Sequence, residues 1–348
     1  MRTLCCSKCG STLKVEYFDQ GSSSDIQLPL HNLSESICLG EGNTPLVSLP
    51  QSGRIAGVKR LFGKLEFINP TGSYKDRGTA IMMSVAVEHG VTEIVEDSSG
   101  NAGASVSAYS ARAGIKAHVF APASAPQAKL QQINVYGAQL HTVPGSRADT
   151  TSSALEFTKE KNLVYLSHNL SPFFVEGVKS FAYEVANQMC GDLPDHVVFP
   201  VGNGALLMGA FKGFEELVKQ GKISRIPALH IVQSKGVMPV VSAIKNEPWS
   251  VDMAANTVAG GISVSDPPHL HRMVPIVQAT GGDAVAVSDD SIIRWQRILA
   301  EKEGVFGEPT SSAAFAGLEF LIQKGSIGSG DTVLVPVTGF GLKDAPIL

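Results

Sequence analysis

The chain has 348 residues, 43% of them hydrophobic and 17% charged, a composition that describes a well-buried globular protein and excludes wholesale disorder. That length exceeds what one core usually organises, so two domains or one large α/β unit are expected. The net charge of −4 comes without a basic stripe or arginine-rich run, which argues against nucleic acid and anionic membrane as partners.

The N-terminus, Met1-Arg2-Thr3-Leu4-Cys5, lacks the charged-then-apolar layout of a secretion signal. No apolar stretch reaches the roughly 18 to 20 residues of a membrane span. The expectation is a cytoplasmic protein whose five cysteines are reduced. Residues 1–35 are polar and read as an appendage to the body of the chain. Cys6-Ser7-Lys8-Cys9-Gly10 within them is half of a zinc ribbon. A structural zinc wants a second pair of ligands, and Cys5, Cys38 and Cys190 do not supply that spacing, so no metal is expected. His269 and His271, two apart with no third ligand, are assigned a surface or loop role.

From Gly57 onward short apolar runs alternate with amphipathic stretches. Strands are predicted at Glu93–Glu96, Ala117–Ala121, Gln139–Val143, His196–Pro200, Ala228–Val232 and Thr332–Pro336, with helices over Ala102–Ala113 and Pro126–Tyr136. Strands alternating with helices give an α/β fold with parallel sheets covered on both faces. The 35 glycines cluster at the ends of the apolar runs, where such folds turn. Ligands of open parallel sheets bind beyond the carboxyl ends of strands. Three unusual loops fall there, Asp97–Asn101, Val201–Ala205 and Val337–Gly341, and are expected to build one site.

The most informative segment is Asn69-Pro70-Thr71-Gly72-Ser73-Tyr74-Lys75-Asp76-Arg77-Gly78. Pro70 and Gly72 make a turn, Ser73 is a candidate cap, and Lys75 falls in the first turn of a helix. The positive end of a helix dipole disfavours ammonium charge, which suits an amine that must attack a carbonyl. Taken alone, a lysine in this charge cluster reads as a solvated surface residue. Gly202-Asn203-Gly204-Ala205-Leu206 opens a helix, so its N–H groups suit an anion, although a simple turn explains so short a loop equally well. Ser98-Ser99-Gly100-Asn101 and Thr338 likewise read as polar turn residues on their own.

Together these segments resemble the threonine synthase branch of the fold-type II pyridoxal 5'-phosphate (PLP) enzymes, the tryptophan synthase β superfamily. The Asn69–Gly78 run resembles the cofactor-lysine segment, and Gly40-Glu41-Gly42-Asn43-Thr44-Pro45-Leu46 resembles the motif that precedes it. The likeness runs in order from about residue 38 to the C-terminus. It implies two open, mainly parallel sheets with flanking helices and PLP in an interdomain cleft. The implied domains are a degenerate zinc-ribbon-like appendage at 1–35, a large domain of 36–78 with 191–348, and a small domain at 79–190. Lys75 is implied as the catalytic residue and Schiff-base partner of the cofactor. Asn101 would bond the PLP hydroxyl, Gly202, Asn203, Gly204, Ala205 and Leu206 would hold its phosphate, and Thr338 would face the pyridine nitrogen. A hydroxyl partner leaves that nitrogen largely unprotonated, which suits elimination and replacement at the β or γ carbon. Ser98, Ser99, Gly100, Asn101 and Ala102 would bind the substrate carboxylate. Glu308-Pro309-Thr310-Ser311-Ser312-Ala313-Ala314 also fits, as a wall of the site without assigned chemistry.

The resemblance implies a lyase that turns O-phospho-L-homoserine and water into L-threonine and phosphate, working as a homodimer on a small amino-acid substrate. One departure bears on the substrate. The family carries a phosphate-binding arginine shortly before a Glu-Gly-x-Lys stretch. Here Glu176-Gly177-Val178-Lys179 is present, and the arginine's place holds Phe174. Lys179, His168, Asn169 and Asn203 are the candidates to compensate. Phe173 and Phe174 favour the alternative of β-elimination or β-replacement, as in a dehydratase or a cysteine or cysteate synthase. A catalytically silent PLP-binding protein on the same scaffold is the reading from another class.

Overall fold

The alternating pattern folds as strands and helices close to their predicted bounds, in a computed structural model that describes residues 4–18, 26–98 and 100–344. Packing divides the chain into two units, Met1–Gly42 with Asn69–Val178, and Asn43–Ile68 with Lys179–Leu348. In chain order the second unit starts with β1 (Leu46–Ser48), α1 (Pro50–Ala56) and β2 (Arg60–Lys64). The body of the first unit follows: α2 (Lys75–Glu88), β3 (Glu93–Glu96), α3 (Asn101–Ala113), β4 (Lys116–Pro122), α4 (Gln127–Val135), β5 (Gln139–Val143), α5 (Arg147–Glu160), β6 (Val164–Tyr165) and α6 (Pro172–Val178). The chain then returns to the second unit with α7 (Ser180–Gln188), β7 (His196–Pro200), α8 (Ala205–Lys219), β8 (Ala228–Ser234), α9 (Pro239–Lys245) and α10 (Leu270–Ala279). It ends with β9 (Ala284–Val287), α11 (Asp289–Ile298), α12 (Pro309–Gln323) and β10 (Thr332–Pro336). Sequence had placed residues 69–78 with the larger domain and 179–190 with the smaller. Packing groups them the other way, because α2 lies against α3 and α6, whereas α7 lies against α8.

The first unit holds a four-stranded sheet in the order β5-β4-β3-β6, parallel throughout. Helix α2 is buried from Asp76 to Ala86 apart from Ile81, as expected of a helix covered on nearly all sides. It can sit so deep because its neighbours approach through glycine. A Cβ at Gly177 of α6 would stand 2.0 Å from the Arg77 carbonyl oxygen, so only hydrogen fits at that crossing. The N-terminal appendage belongs to this unit. Tyr17 donates its hydroxyl to Glu176 at 2.7 Å, and the backbone N–H groups of His31 and Asn32 reach Glu88 at 2.9 and 3.1 Å. Its cysteine turn keeps the backbone of a metal knuckle, with Cys6 N–H on Ser11 O at 2.8 Å and Gly10 N–H on Cys6 O at 2.9 Å. Among the described residues no cluster of metal-binding side chains forms around it.

The second unit holds a six-stranded sheet in the order β1-β2-β10-β7-β8-β9, parallel except for β1 at its edge. Trp295, Phe315, Leu318, Leu321, Val333 and Val335 form part of the core on one face. The strand orders fix where ligands belong. In the second unit the chain steps outward from β7 to β9 and returns on the far side of β7 with β10, so the order reverses between β7 and β10. In the first unit it steps outward from β3 to β5 and returns with β6, so the reversal lies between β3 and β6. At such switch points the loops after neighbouring strands part and leave a crevice at their carboxyl ends. No helix among the described residues is long and apolar enough to cross a membrane.

At the opposite, amino end of the second sheet a histidine relay joins strands. Asp283 N–H donates to His230 Nδ1 at 3.0 Å, His230 Nε2 lies 2.9 Å from His196 Nδ1, and His196 Nε2 lies 3.0 Å from Asp331. The first bond makes Nδ1 an acceptor, so both imidazoles are neutral and the protons run toward Asp331. Burial, with the neighbouring His196, pushes His230 down to about 4 from 6.5. The unfolded chain therefore takes up the proton first as pH falls. The relay's stability is full above pH 6.5 and is lost as pH drops toward 4. About 3 kcal/mol is expected to disappear across that window. Urea unfolding across it should show the loss, and His230→Asn should flatten it; a wild-type curve no steeper than the variant's contradicts the assignment.

Candidate active site

In the first unit, turn and helix are locked together around Lys75. Gly72, at φ +86°, closes the turn with its N–H on Asn69 O at 2.8 Å. Asp76, fully buried, folds that turn back by accepting from Thr71 N–H at 2.7 Å and Thr71 Oγ1 at 2.6 Å. Ser105 of α3 donates to the same carboxylate at 2.6 Å, which ties α2 to α3. Gln132 of α4 donates to Thr71 O at 3.0 Å. Lys75 is thereby fixed as the first residue of α2 with its side chain half-buried. The expected cap is corrected by one residue: Tyr74 occupies the cap position without a side-chain bond, and Ser73 Oγ accepts from Lys75 N–H at 3.4 Å. The amine stands 4.7 Å from the centre of the Tyr74 ring and 5.7 Å from that of Phe174.

Beyond β3, the loop from Asp97 leads into α3 with Asn101 as its first residue. Arg147 Nη2 at 3.0 Å and Thr151 Oγ1 at 2.5 Å hold the buried Asp97. Gly103 lies so close under the loop that a Cβ there would be 1.9 Å from Ser98 O. Gly100 N–H reaches Ser98 Oγ at 3.3 Å. The first intrahelical bond of α3 is made by Ala104 to Gly100 O at 3.2 Å, so the positive end of the helix, with the N–H groups of Ala102 and Gly103, opens at the loop end, an anion-binding arrangement. Ser98 and Ala102 are buried, Gly100 and Asn101 half-buried, and Ser99 lies outside the described residues.

In the second unit, Gly202, Asn203 and Gly204 follow β7 and deliver the chain to α8. Gly204 caps that helix at φ +80°, where a Cβ would also stand 2.1 Å from Met273 Sδ, so glycine is required twice over. Met208 N–H makes the first intrahelical bond, to Gly204 O at 2.9 Å, and the N–H groups of Ala205, Leu206 and Leu207 precede it. No carboxylate caps this fifteen-residue helix. The cup suits a phosphate monoester. Gln233 steadies its base, donating to Val201 O at 3.1 Å and accepting from Val240 and Val241 N–H at 2.8 and 3.0 Å.

The neighbouring strand β10 is followed by Val337 and the buried Thr338. Ser311 of α12 accepts from Gly339 N–H at 3.1 Å and stands 3.0 Å from Thr338 Oγ1. Ser311 Oγ also reaches Gly339 O at 3.3 Å, so its one proton serves either that carbonyl or Thr338. A Cβ at Gly339 would be 2.4 Å from the Glu308 carboxylate, so this turn also needs glycine.

The structure thus places Lys75, Ser98, Gly100, Asn101 and Ala102 on one unit, and Gly202 to Leu206 with Thr338 on the other, each set at its switch point. The sequence placed Ser311 in a wall of the site without giving it chemistry, and Asp76 looked like one charge of a cluster. Of the compensating candidates, Lys179 is fully buried with Nζ 2.9 Å from Glu216, and His168 Nδ1 lies 2.7 Å from the buried Glu96. Phe174 has no exposed surface and covers Gly78. Of the two histidines given a surface or loop role, His269 is buried in the turn that caps α10 and His271 is exposed.

The family model for pyridoxal-phosphate dependent enzymes matches residues 37–339. The threonine synthase of Methanocaldococcus jannaschii is 37% identical over 320 residues, 91% of this chain and 79% of that one. The threonine synthase of Methanosarcina acetivorans is 32% identical, covering 97% of this chain and 87% of that one. Among solved structures, maize serine racemase superposes with a TM-score of 0.74 at 21% identity, covering 86% of this chain and 88% of that one. A fungal L-serine ammonia-lyase from Rhizomucor miehei gives 0.74 at 23% identity over 88% and 95%. These two likenesses speak to the fold.

Proposed function

The chain belongs to the pyridoxal-phosphate dependent enzyme family, among the threonine synthases, and on that footing we propose that it converts O-phospho-L-homoserine and water to L-threonine and phosphate. The observation that carries the reading is the threonine synthase likeness spanning 91% of the chain, through the segments of both half-sites. The glycine cup, with backbone N–H groups at the start of α8 and no acidic residue in its first turn, fits the cofactor's phosphate.

When bound, PLP supplies an electron-withdrawing ring that eases proton loss from the amino-acid carbon chain and departure of a β or γ substituent. Lys75 would hold the cofactor through its ε-amine and would move protons at Cα and beyond. The Gly202–Leu206 segment binds the cofactor phosphate through backbone N–H groups. Asn101 bonds the ring hydroxyl, and Thr338, backed by Ser311, presents a neutral hydroxyl to the ring nitrogen. The N–H groups beginning α3, with Ser98 to Ala102, orient the substrate carboxylate. A cytoplasmic homodimer is part of the same proposal.

Phe174 favours a second reading, elimination or replacement on a serine- or cysteine-like substrate, since its apolar ring fills the place of a charged contact worth ~2–5 kcal/mol. Purified holoenzyme given O-phospho-L-homoserine should release inorganic phosphate and L-threonine in equal amounts. Absence of both at high enzyme concentration, with turnover of L-serine or O-phospho-L-serine, transfers the assignment to the second reading.

A further inference from the structure

The loop after β6 shares the switch point of the first unit with the loop after β3, because those two strands are paired through Ile94–Val164 and Val95–Tyr165. The β3 loop carries Ser98 and leads to Asn101. The β6 loop, residues 166–171, leads into α6 and Phe174. Ligands of open α/β sheets sit in the crevice between two such loops. Whatever polar side chain the second loop offers there stands beside the substrate.

Of Ser167, His168, Asn169 and Ser171 in that loop, His168 is the ionisable one and the one fixed to the end of β3. It is 6% exposed, and the fully buried Glu96, the last residue of β3, holds it twice, through Nδ1 at 2.7 Å and the backbone N–H at 3.2 Å. Its ring meets Phe174 edge-on, with centroids 5.8 Å apart and planes at 67°. Lys75 Nζ lies 5.7 Å from the centre of the same phenyl ring. Among the described residues Nε2 has no hydrogen-bond partner. Ser171, in the same loop, has its Oγ buried and likewise without a partner among those residues. His168 Nε2 is not among the buried unpartnered atoms, so it keeps accessible surface and is open to a ligand in the crevice.

Resting on the threonine synthase reading, we infer that His168, oriented by Glu96, receives the anionic distal group of the substrate, in the role that an arginine at position 174 would otherwise fill. The Glu96 carboxylate fixes the Nδ1 proton, so Nε2 is the atom turned to the ligand. Nε2 and an oxygen of the phosphate monoester then share one proton between them, a charge-assisted hydrogen bond. Phe174 excludes water from the contact and gives the imidazole an apolar wall, which strengthens a charged hydrogen bond. The substrate class is therefore an amino acid ending in a phosphate ester.

The test uses the holoenzyme and reads the change in its visible absorption on titration with two probes. One is 2-amino-5-phosphonopentanoate, a phosphonate isostere of O-phosphohomoserine; the other is norvaline, the same carbon chain without the phosphonate. Wild type should bind the phosphonate more tightly. His168→Gln should weaken the phosphonate ~10-fold or more while leaving norvaline within about two-fold. Equal weakening of both, unchanged phosphonate binding, or a wild type that does not prefer the phosphonate overturns the inference. In unmutated enzyme, the nitrogen resonance of His168 Nε2 should move with the phosphonate and not with norvaline; no movement overturns it independently of any variant. If the discrimination through His168 appears but no phosphate is released from O-phospho-L-homoserine, the site assignment stands and the threonine synthase reaction falls.

Discussion

Lys75→Ala is expected to lower turnover by at least ~10³-fold, because one change removes both the covalent hold and the group that moves protons at the reacting carbons. The side chain is half-buried at the first position of α2, and the turn before it is held by Asp76, Thr71 and Gln132, not by the amine. The variant should therefore fold with an unchanged unfolding midpoint. It should still take up PLP through the glycine cup but release it on dialysis, which wild type does not. Turnover within ~10-fold of wild type would show that some other group does the chemistry.

The second large effect concerns stability. Lys64 has no exposed surface, and its ammonium bonds Thr44 O at 2.6 Å and Glu184 Oε2 at 2.8 Å. The other oxygen of Glu184 accepts from Asn43 N–H at 2.7 Å, in the segment that precedes β1. Thr44 in turn donates to the buried Glu66 at 2.8 Å. Glu184→Ala removes the carboxylate and leaves the ammonium inside. Such removals destabilise by about 3–5 kcal/mol, whereas replacing both partners by apolar residues of similar size is often close to neutral. Urea unfolding of Glu184→Ala and of the double change Lys64→Met with Glu184→Leu makes the comparison. The single variant should lose about 3–5 kcal/mol and the double clearly less. Equal losses would mean that packing around α7, not the ion pair, sets the effect.

Much of the fold is legible because each strand of a doubly covered parallel sheet is a compact apolar run. Glu93–Glu96, Gln139–Val143, His196–Pro200 and Thr332–Pro336 stand where alternation put them, and β4 and β8 extend only one or two residues past their predicted ends. The edge strands were harder. β6 is two residues long and β1 three, too short for periodicity to register. Packing draws the unit boundary elsewhere than the resemblance implied, and motif order says nothing about which neighbour a helix packs on. That was decided at Gly177, where a missing Cβ lets α6 close on α2.

The half-sites divide in the same way. Lys75, the Ser98–Asn101 loop, the Gly202–Leu206 cup and Thr338 carry local signals, a turn, a glycine or a helix start, and the roles proposed for them came from the resemblance. Ser311 and Thr338 meet across 27 positions and Glu96 and His168 across 72. Nothing local marks such pairs. Lys179 shows the converse error: a lysine beside a recognised motif looked available for a phosphate, yet it is committed to Glu216 inside its own unit.

The most direct measurement is to reduce the purified, coloured protein with borohydride, digest it and locate the pyridoxyl group by peptide mass. One modified peptide is expected, carrying the group on Lys75, with the visible band lost in the same step. A colourless protein that takes up no PLP, or a pyridoxyl group found on any other lysine, contradicts the account.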